Sequence, residues 1–226
     1  MSSAPGYYLK QIEVGPMANF VYLVGDAQKR EVFIVDPAWQ MDTIFRTAQE
    51  ENLNITGALI THSHFDHCNA VEDLLERKDV PIYVNGEEIL FLKSLGSRTD
   101  QLFGSFPKEN LKVVSSGDKI RIGDVQLTSL HTPGHTPGSQ CFLIENNLLT
   151  GDTLFVGGCG RCDLSGGDPK KMYESLTQKL MKLPDRTLLL PGHFYGEKAT
   201  STLSEEKKKN PYLICNNLET FLDLMV

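Results

Sequence analysis

Thr61-His62-Ser63-His64-Phe65-Asp66-His67 places three histidines and an aspartate within six residues. The motif follows directly on an apolar, β-branched run over residues 55–60 that reads as a buried strand. Extended backbone delivers alternate side chains to one side, so His62 and His64 converge. Where the chain turns into the next helix, Asp66 and His67 are free to face a neighbouring position. A single loop histidine is most simply a hydrogen-bonded polar residue. So many titratable groups crowded together would repel one another or lie desolvated without a cation, and the cluster therefore points to bound metal. Imidazole and carboxylate together suit zinc or iron and need no thiolate.

Working outward, all six histidines fall into three short segments. His135, Asp152 and His193 each follow or end a predicted strand, within Thr132-Pro133-Gly134-His135, Gly151-Asp152-Thr153 and Pro191-Gly192-His193. Upstream, residues 7–14, 19–24 and 32–35 read as strands and 42–52 as an amphipathic helix. After the motif come a helix over 69–77, a strand over 81–84 and a helix over 87–95. The stretch 96–110, with Leu102, Phe103 and Phe106, reads as a loop over a pocket, since linkers seldom carry aromatics. Strands return at 120–122, 125–130, 141–144 and 148–150, with hairpin turns at Gly123-Asp124 and Asn146-Asn147. Asp168-Pro169 is a helix start whose apolar face runs through Met172, Tyr173, Leu176, Leu180 and Leu183. A strand over 187–190 delivers His193, and Leu218, Phe221, Leu222 and Met225 mark a last packing helix. Two batches of strands, each closed by helices, predict an α/β sandwich with its active site at the strand ends.

The 226 residues carry 22 Lys and Arg against 29 Asp and Glu, a net charge of −7. That balance argues against a nucleic-acid surface, which needs a basic footprint. With 40% hydrophobic and 23% charged residues, the composition is neither disordered nor fibrous. The length suits a single domain over residues 1–226. No apolar run approaches the ~20 residues needed to span a bilayer, and the first residues have neither the basic nor the apolar segment of a secretory signal. Five cysteines, Cys68, Cys141, Cys159, Cys162 and Cys215, fit a reducing compartment better than a disulfide framework. The expectation is a cytoplasmic protein that engages neither nucleic acid nor membrane.

The chain resembles the metallo-β-lactamase superfamily, whose Thr-His-x-His-x-Asp-His motif stands complete at 61–67 and whose later motifs match in order at His135, Asp152 and His193. The resemblance implies an αββα sandwich, two mixed sheets packed face to face with outer helices. It also implies a site for two divalent metal ions, zinc, iron or both. Carried over, His62, His64 and His135 hold one metal, Asp66, His67 and His193 the second, and Asp152 bridges them. In that family a metal-bound hydroxide is the nucleophile, because coordination lowers the pKa of water from 15.7 towards ~7. Asp66 and Asp152 would then be catalytic as well as ligating, by orienting the nucleophile. His131 matches no ligand position and reads as a loop residue.

The segment 151–163 is similar to that of the glutathione-thioester hydrolases (hydroxyacylglutathione hydrolase, or glyoxalase II). There a basic residue at the position of Arg161 and a tyrosine at that of Tyr195 bind the glutathione part of the substrate. Asp163 departs from the pattern, which has an aromatic, and 33 residues follow His193 where those enzymes carry a longer helical domain. The resemblance implies a hydrolase acting on a small-molecule thioester or ester, glutathione-linked substrates included. A second reading is the persulfide dioxygenase branch, similar at Cys159-Gly160-Arg161 and Asp163 and in the stretch after Tyr195. It would use one iron, held by two histidines and Asp152, and a thiol substrate, glutathione persulfide. A β-lactamase, a nuclease and a flavin-linked oxygen reductase fit less well, for want of an export signal, a basic face, and a Glu at position 64 with a flavin domain.

The remaining features have plainer readings. Cys159 and Cys162 have redox-motif spacing without the strand–helix context that would support it. Lys207-Lys208-Lys209 after Glu205-Glu206 is a solvated helix face. The Gly-Gly pairs at 157–158 and 166–167 are loop hinges. Trp39 reads as a core-capping aromatic. Leu102, Phe103 and Phe106 either line a substrate mouth or cover the core.

Overall fold

A computed structural model describes residues 6–96 and 106–225. Leu102 and Phe103 lie outside the described residues. Strands β1 (Tyr7–Val14), β2 (Asn19–Asp26) and β3 (Glu31–Val35) form an antiparallel meander. Three parallel strands extend it, β4 (Asn54–Leu59), β5 (Ile82–Asn85) and β6 (Leu111–Val114), in the order β1-β2-β3-β4-β5-β6. Parallel neighbours need crossovers, and helices supply them: α1 (Met41–Glu50), then α2 (Phe65–Cys68) with α3 (Val71–Arg77), then α4 (Gly86–Leu95).

The second sheet is a meander of β7 (Lys119–Ile122), β8 (Val125–His131), β9 (Gln140–Ile144) and β10 (Asn147–Gly151). A short hairpin follows, β11 (Leu154–Phe155) and β12 (Gly158–Cys159), then helix α5 (Pro169–Glu174). Strand β13 (Leu188–Pro191) returns parallel to β10, and β14 (Ser201–Thr202) closes that edge. Helices α6 (Leu203–Lys209), α7 (Pro211–Ile214) and α8 (Leu218–Leu224) end the fold.

Strand alternation sorts the core into three layers. Phe20, Tyr22 and Val24 of β2 face the second sheet, meeting Leu127, Phe142 and Leu149. Val21 and Leu23, one residue out of phase, pack instead under Ile44 of α1 and Leu74 of α3. On the far side Cys141, Leu148 and Leu189 pack under Met172 of α5, Leu203 and Phe221. The result is an αββα sandwich of two mixed sheets, with every residue of β2 buried on both faces.

Four local expectations need correction. The helix expected over 69–77 starts later, as α3 from Val71, and the end of the histidine motif forms a separate short helix, α2, because the hydrogen bond that would join the two is spent elsewhere. The Ala70 N–H donates to the Pro37 carbonyl at 3.2 Å, and the Asp66 carbonyl accepts from Asn19 Nδ2 at 3.0 Å. The long helix from Asp168 loosens into a π turn over Ser175–Lys179 and a 3₁₀ turn over Leu180–Lys182, where Ser175 Oγ donates to the Pro133 carbonyl at 2.7 Å. Its face through Met172, Leu176 and Leu180 is nevertheless buried, and Asp168 caps it by accepting from the Lys170 and Lys171 N–H groups. The second hairpin turns at Glu145-Asn146, with Glu145 in the left-handed region at φ 50°, one residue earlier than expected. The Gly157-Gly158 pair is not only a hinge, since Gly158 opens β12. No helix among the described residues is long and apolar enough to cross a membrane.

Phe142 is fully buried between the sheets. Phe142→Ala is expected to destabilise the protein by about 3–5 kcal/mol, measured by urea denaturation.

Candidate metal centre

The seven predicted residues arrive from four different strand ends. His62, His64, Asp66 and His67 follow β4, His135 follows β8, Asp152 follows β10, and His193 follows β13. The structure brings them into three overlapping groups: His62, His64 and His135; His62, His67 and Asp152; and Asp66, His67 and His193. In each, the potential ligand atoms lie within 4.8 Å of one another. Asp152 stands between the halves, its Oδ2 3.5 Å from His135 Nε2 and 3.4 Å from His193 Nε2.

Outer partners fix which ring nitrogen faces inward. His135 Nδ1 donates to the Arg161 carbonyl at 2.7 Å, and His193 Nδ1 to the Met17 carbonyl at 2.9 Å. His67 Nδ1 donates to Asp36 Oδ2 at 2.9 Å. An acceptor at Nδ1 requires N–H there, so each Nε2 turns a lone pair into the centre unless it too is protonated. His62 Nδ1 lies 3.1 Å from Thr61 Oγ1, which itself donates to Asp36 Oδ2 at 2.6 Å. Glycine is needed where the backbone closes in. A Cβ at Gly192 would come within 2.5 Å of Asp152 Oδ1, and one at Gly160 within 1.9 Å of the Asp152 carbonyl.

These donors fit a cation. His62 Nε2 and His64 Nδ1 face each other at 3.0 Å, as do His67 Nε2 and His193 Nε2. Among the described residues, His135 Nε2 and Asp152 Oδ1 are buried polar atoms without a hydrogen-bond partner. Burial, with the neighbouring His135, depresses His64 to about 3, and burial with His67 holds His62 well below the usual histidine range. Burial works the other way on His193, yet Asp152 and Asp66 raise it to about 9; the same two carboxylates hold His67 high. Asp152 and Asp66 stay low in spite of burial, held down by His67 and His193. One half of the centre therefore offers neutral imidazoles and the other carboxylates that demand positive charge, a donor set for divalent zinc or iron.

Asp36 and Glu88 are positioning residues that sequence reasoning did not single out. Asp36 sits at φ 54° after β3 and serves both His67 and, through Thr61, His62. Glu88, fully buried in α4, accepts from Ser63 N–H and Oγ at 2.7 and 2.6 Å and from Thr136 Oγ and Gly138 N–H at 2.8 Å. It therefore ties the loop of His62 and His64 to the loop of His135. The available signal for Asp36 was its place at the end of a buried strand. Glu88 had none, because it reads like its surface neighbour Glu87.

A cleft of about 760 Å³ opens over the centre, lined among others by Met17, Trp39, Phe65, Phe155, Arg161 and Tyr195. Both predicted substrate-binding residues reach it. Tyr195 stacks on the His193 ring at 4.4 Å. Arg161 is exposed and paired with Asp163, Nε to Oδ1 at 2.6 Å. Trp39 lines the cleft rather than only capping the core, whereas Phe106 packs on the core of the first sheet's outer face. His131 stands apart from the centre, its Nε2 donating to the Pro137 carbonyl at 2.8 Å.

An αββα sandwich with this histidine and aspartate set at its strand ends defines a superfamily, and a profile of the metallo-beta-lactamase superfamily matches residues 14–193. The chain belongs to that superfamily. It is 32% identical over 206 residues to the probable polyketide biosynthesis zinc-dependent hydrolase BaeB of Bacillus velezensis, covering 91% of this chain and 86% of the relative. Among solved structures, ETHE1 from Myxococcus xanthus superposes with a TM-score of 0.83 at 31% identity, covering 96% of this chain and 89% of that one. The protein TTHA1623, solved in a di-iron-bound form, superposes with a TM-score of 0.76 at 32% identity, covering 90% and 100%.

Glu88→Gln keeps the side-chain volume but turns an amide N–H₂ towards donors. It is expected to weaken metal binding about 10–100-fold, measured by titrating metal-stripped protein against a chromophoric chelator. Unchanged affinity would show that Glu88 does not position the ligands.

Proposed function

We propose that the protein is a metal-dependent thioester hydrolase. The observation that carries this reading is the overlap of the ligand groups around Asp152, whose Oδ2 lies 3.5 Å from His135 Nε2 and 3.4 Å from His193 Nε2, in an open cleft. His62, His64 and His135 would hold one ion, Asp66, His67 and His193 the other, with Asp152 shared. The metals would supply the Lewis acidity that activates water near neutral pH and polarises the thioester carbonyl.

The chain's own residues do the rest. Asp66 and Asp152 orient the attacking water, and Asp36 and Glu88 keep the imidazoles aimed. Arg161 flanks the substrate's thiol part, and Tyr195, stacked on His193, lines the cleft on the side of that histidine. Every histidine and aspartate of the centre is occupied as a donor. Beyond them, among the described residues, the cleft offers Tyr195, whose phenol is pushed up to about 12 by burial and by Asp152, and Cys159 and Tyr212, both raised by burial, so none of these is a separate acid poised near neutral pH. A thioester suits such a site, because a thiolate of ordinary pKa ≈ 8.5 leaves without a proton where an amide nitrogen would need one. The zinc-dependent hydrolase name of BaeB and the di-iron form of TTHA1623 support a hydrolytic, two-metal reading.

The competing reading is a one-iron dioxygenase acting on glutathione persulfide. The residues Cys159, Gly160, Arg161 and Asp163, which resemble the persulfide dioxygenase branch and stand beside the centre, favour it.

Metal analysis and two assays on one preparation separate them. Two equivalents of metal with hydrolysis of S-lactoylglutathione or another thioester are expected. One iron with O₂ consumption on glutathione persulfide would overturn the hydrolase. Asp152→Ala should lose at least one equivalent of metal and fall to background hydrolysis; near-normal turnover would sink the shared-ligand mechanism.

A further inference from the structure

The walls of the cleft are unlike one another. Arg161 belongs to the side of His135, whose Nδ1 its carbonyl holds, and the Arg161–Asp163 pair makes that end polar. The side of Asp66 and His193 is aromatic and apolar. Trp39 and Phe65 meet there edge to face at 6.2 Å, Phe155 packs on the edge of His193, and the Met17 carbonyl holds His193 Nδ1. Among the described residues, nine large hydrophobics are exposed, and four of them, Met17, Phe65, Leu164 and Tyr195, line this one cleft. Concentration of exposed apolar surface at one cleft marks a binding groove.

Trp39 is the best-built part of that wall. It holds φ 61°, a conformation a bulky side chain adopts only where its surroundings compel it. Its backbone N–H donates to Asn69 Oδ1 at 2.8 Å, and its indole N–H to Asn19 Oδ1 at 3.0 Å. Gly15 leaves room for the ring, since a Cβ there would approach the indole Cδ1 to 2.5 Å. Asn19 in turn donates to Asp66 Oδ2 at 2.9 Å. The indole is therefore set in fixed relation to the centre, with part of its surface turned into the cleft.

We propose that this wall is an acyl site, and that the substrate is a thioester whose acyl group is an extended apolar chain lying along Trp39, Phe65 and Met17. The inference rests on the thioesterase reading and adds the substrate class. The polar Arg161–Asp163 end is left for the thiol carrier, and the aromatic end takes the group that water would otherwise have to solvate.

The test uses two series. Trp39 is the only tryptophan of the chain, so its emission reports occupancy without turnover. S-octyl-N-acetylcysteamine, a non-hydrolysable thioether, is expected to shift that emission and to bind at least about tenfold more tightly than the S-ethyl homologue. Phe65→Ala should erase the preference and Phe65→Leu should retain it. In hydrolysis, N-acetylcysteamine thioesters from acetyl to octanoyl should gain about two- to fourfold in kcat/KM per methylene, the range from half to full burial of a CH₂. Equal kcat/KM across the series, or octyl binding no tighter than ethyl, overturns the acyl site while the thioesterase stands. Tight octyl binding with no thioester hydrolysed at any length overturns the thioesterase, and the acyl assignment with it.

Discussion

The structure depends on burying seven nitrogen and oxygen donors in one place without leaving them to repel each other. Desolvation drives His62 and His64 towards neutrality, while Asp66 and Asp152 hold positive charge on His67 and His193. Such a cluster is costly unless each imidazole has an outer acceptor and the inner atoms share a cation. The outer acceptors are visible: Thr61 Oγ for His62, Asp36 for His67, and the carbonyls of Arg161 and Met17 for His135 and His193. These bonds make the donors converge before any ion arrives, so binding would need little rearrangement.

The sandwich supplies the geometry that the cluster needs. Strands β4, β8, β10 and β13 end at one edge of the two sheets, and their loops are short enough to meet across it. Packing between Phe20, Tyr22, Leu127 and Phe142 sets the distance between the sheets, and with it the gap that Asp152 spans. Helix α4 contributes Glu88 from outside, joining the loop after β4 to the loop after β8. The core and the metal centre are thus one mechanical unit.

Legibility followed the range of the interaction. The strands of both meanders, the Gly123-Asp124 turn and the Asp168 cap are local, and their residues announce them. The histidine motif is dense enough to be read without a partner. The split at Asn69–Ala70 was not legible, because it depends on Pro37 and Asn19, which are distant in sequence. Strand β6 also escaped notice: Val113 is exposed on its outer face, and its pairing with β5 is what makes it a strand. Glu88 could not be told from Glu87, since burial of one and exposure of the other depend on where the loops of Ser63 and Gly138 come to rest.

By itself the sequence determined the ligand chemistry, most of the strands of the two meanders, and the places where the chain must turn, because residue type and short spacing suffice for these. Only the tertiary structure decided which of the seven donors come within reach of one another, which nitrogen of His67, His135 and His193 points inward, and that Trp39 faces the cleft. Those properties arise from hydrogen bonds and contacts between segments tens of residues apart. No spacing along the chain encodes the distance that packing imposes between them.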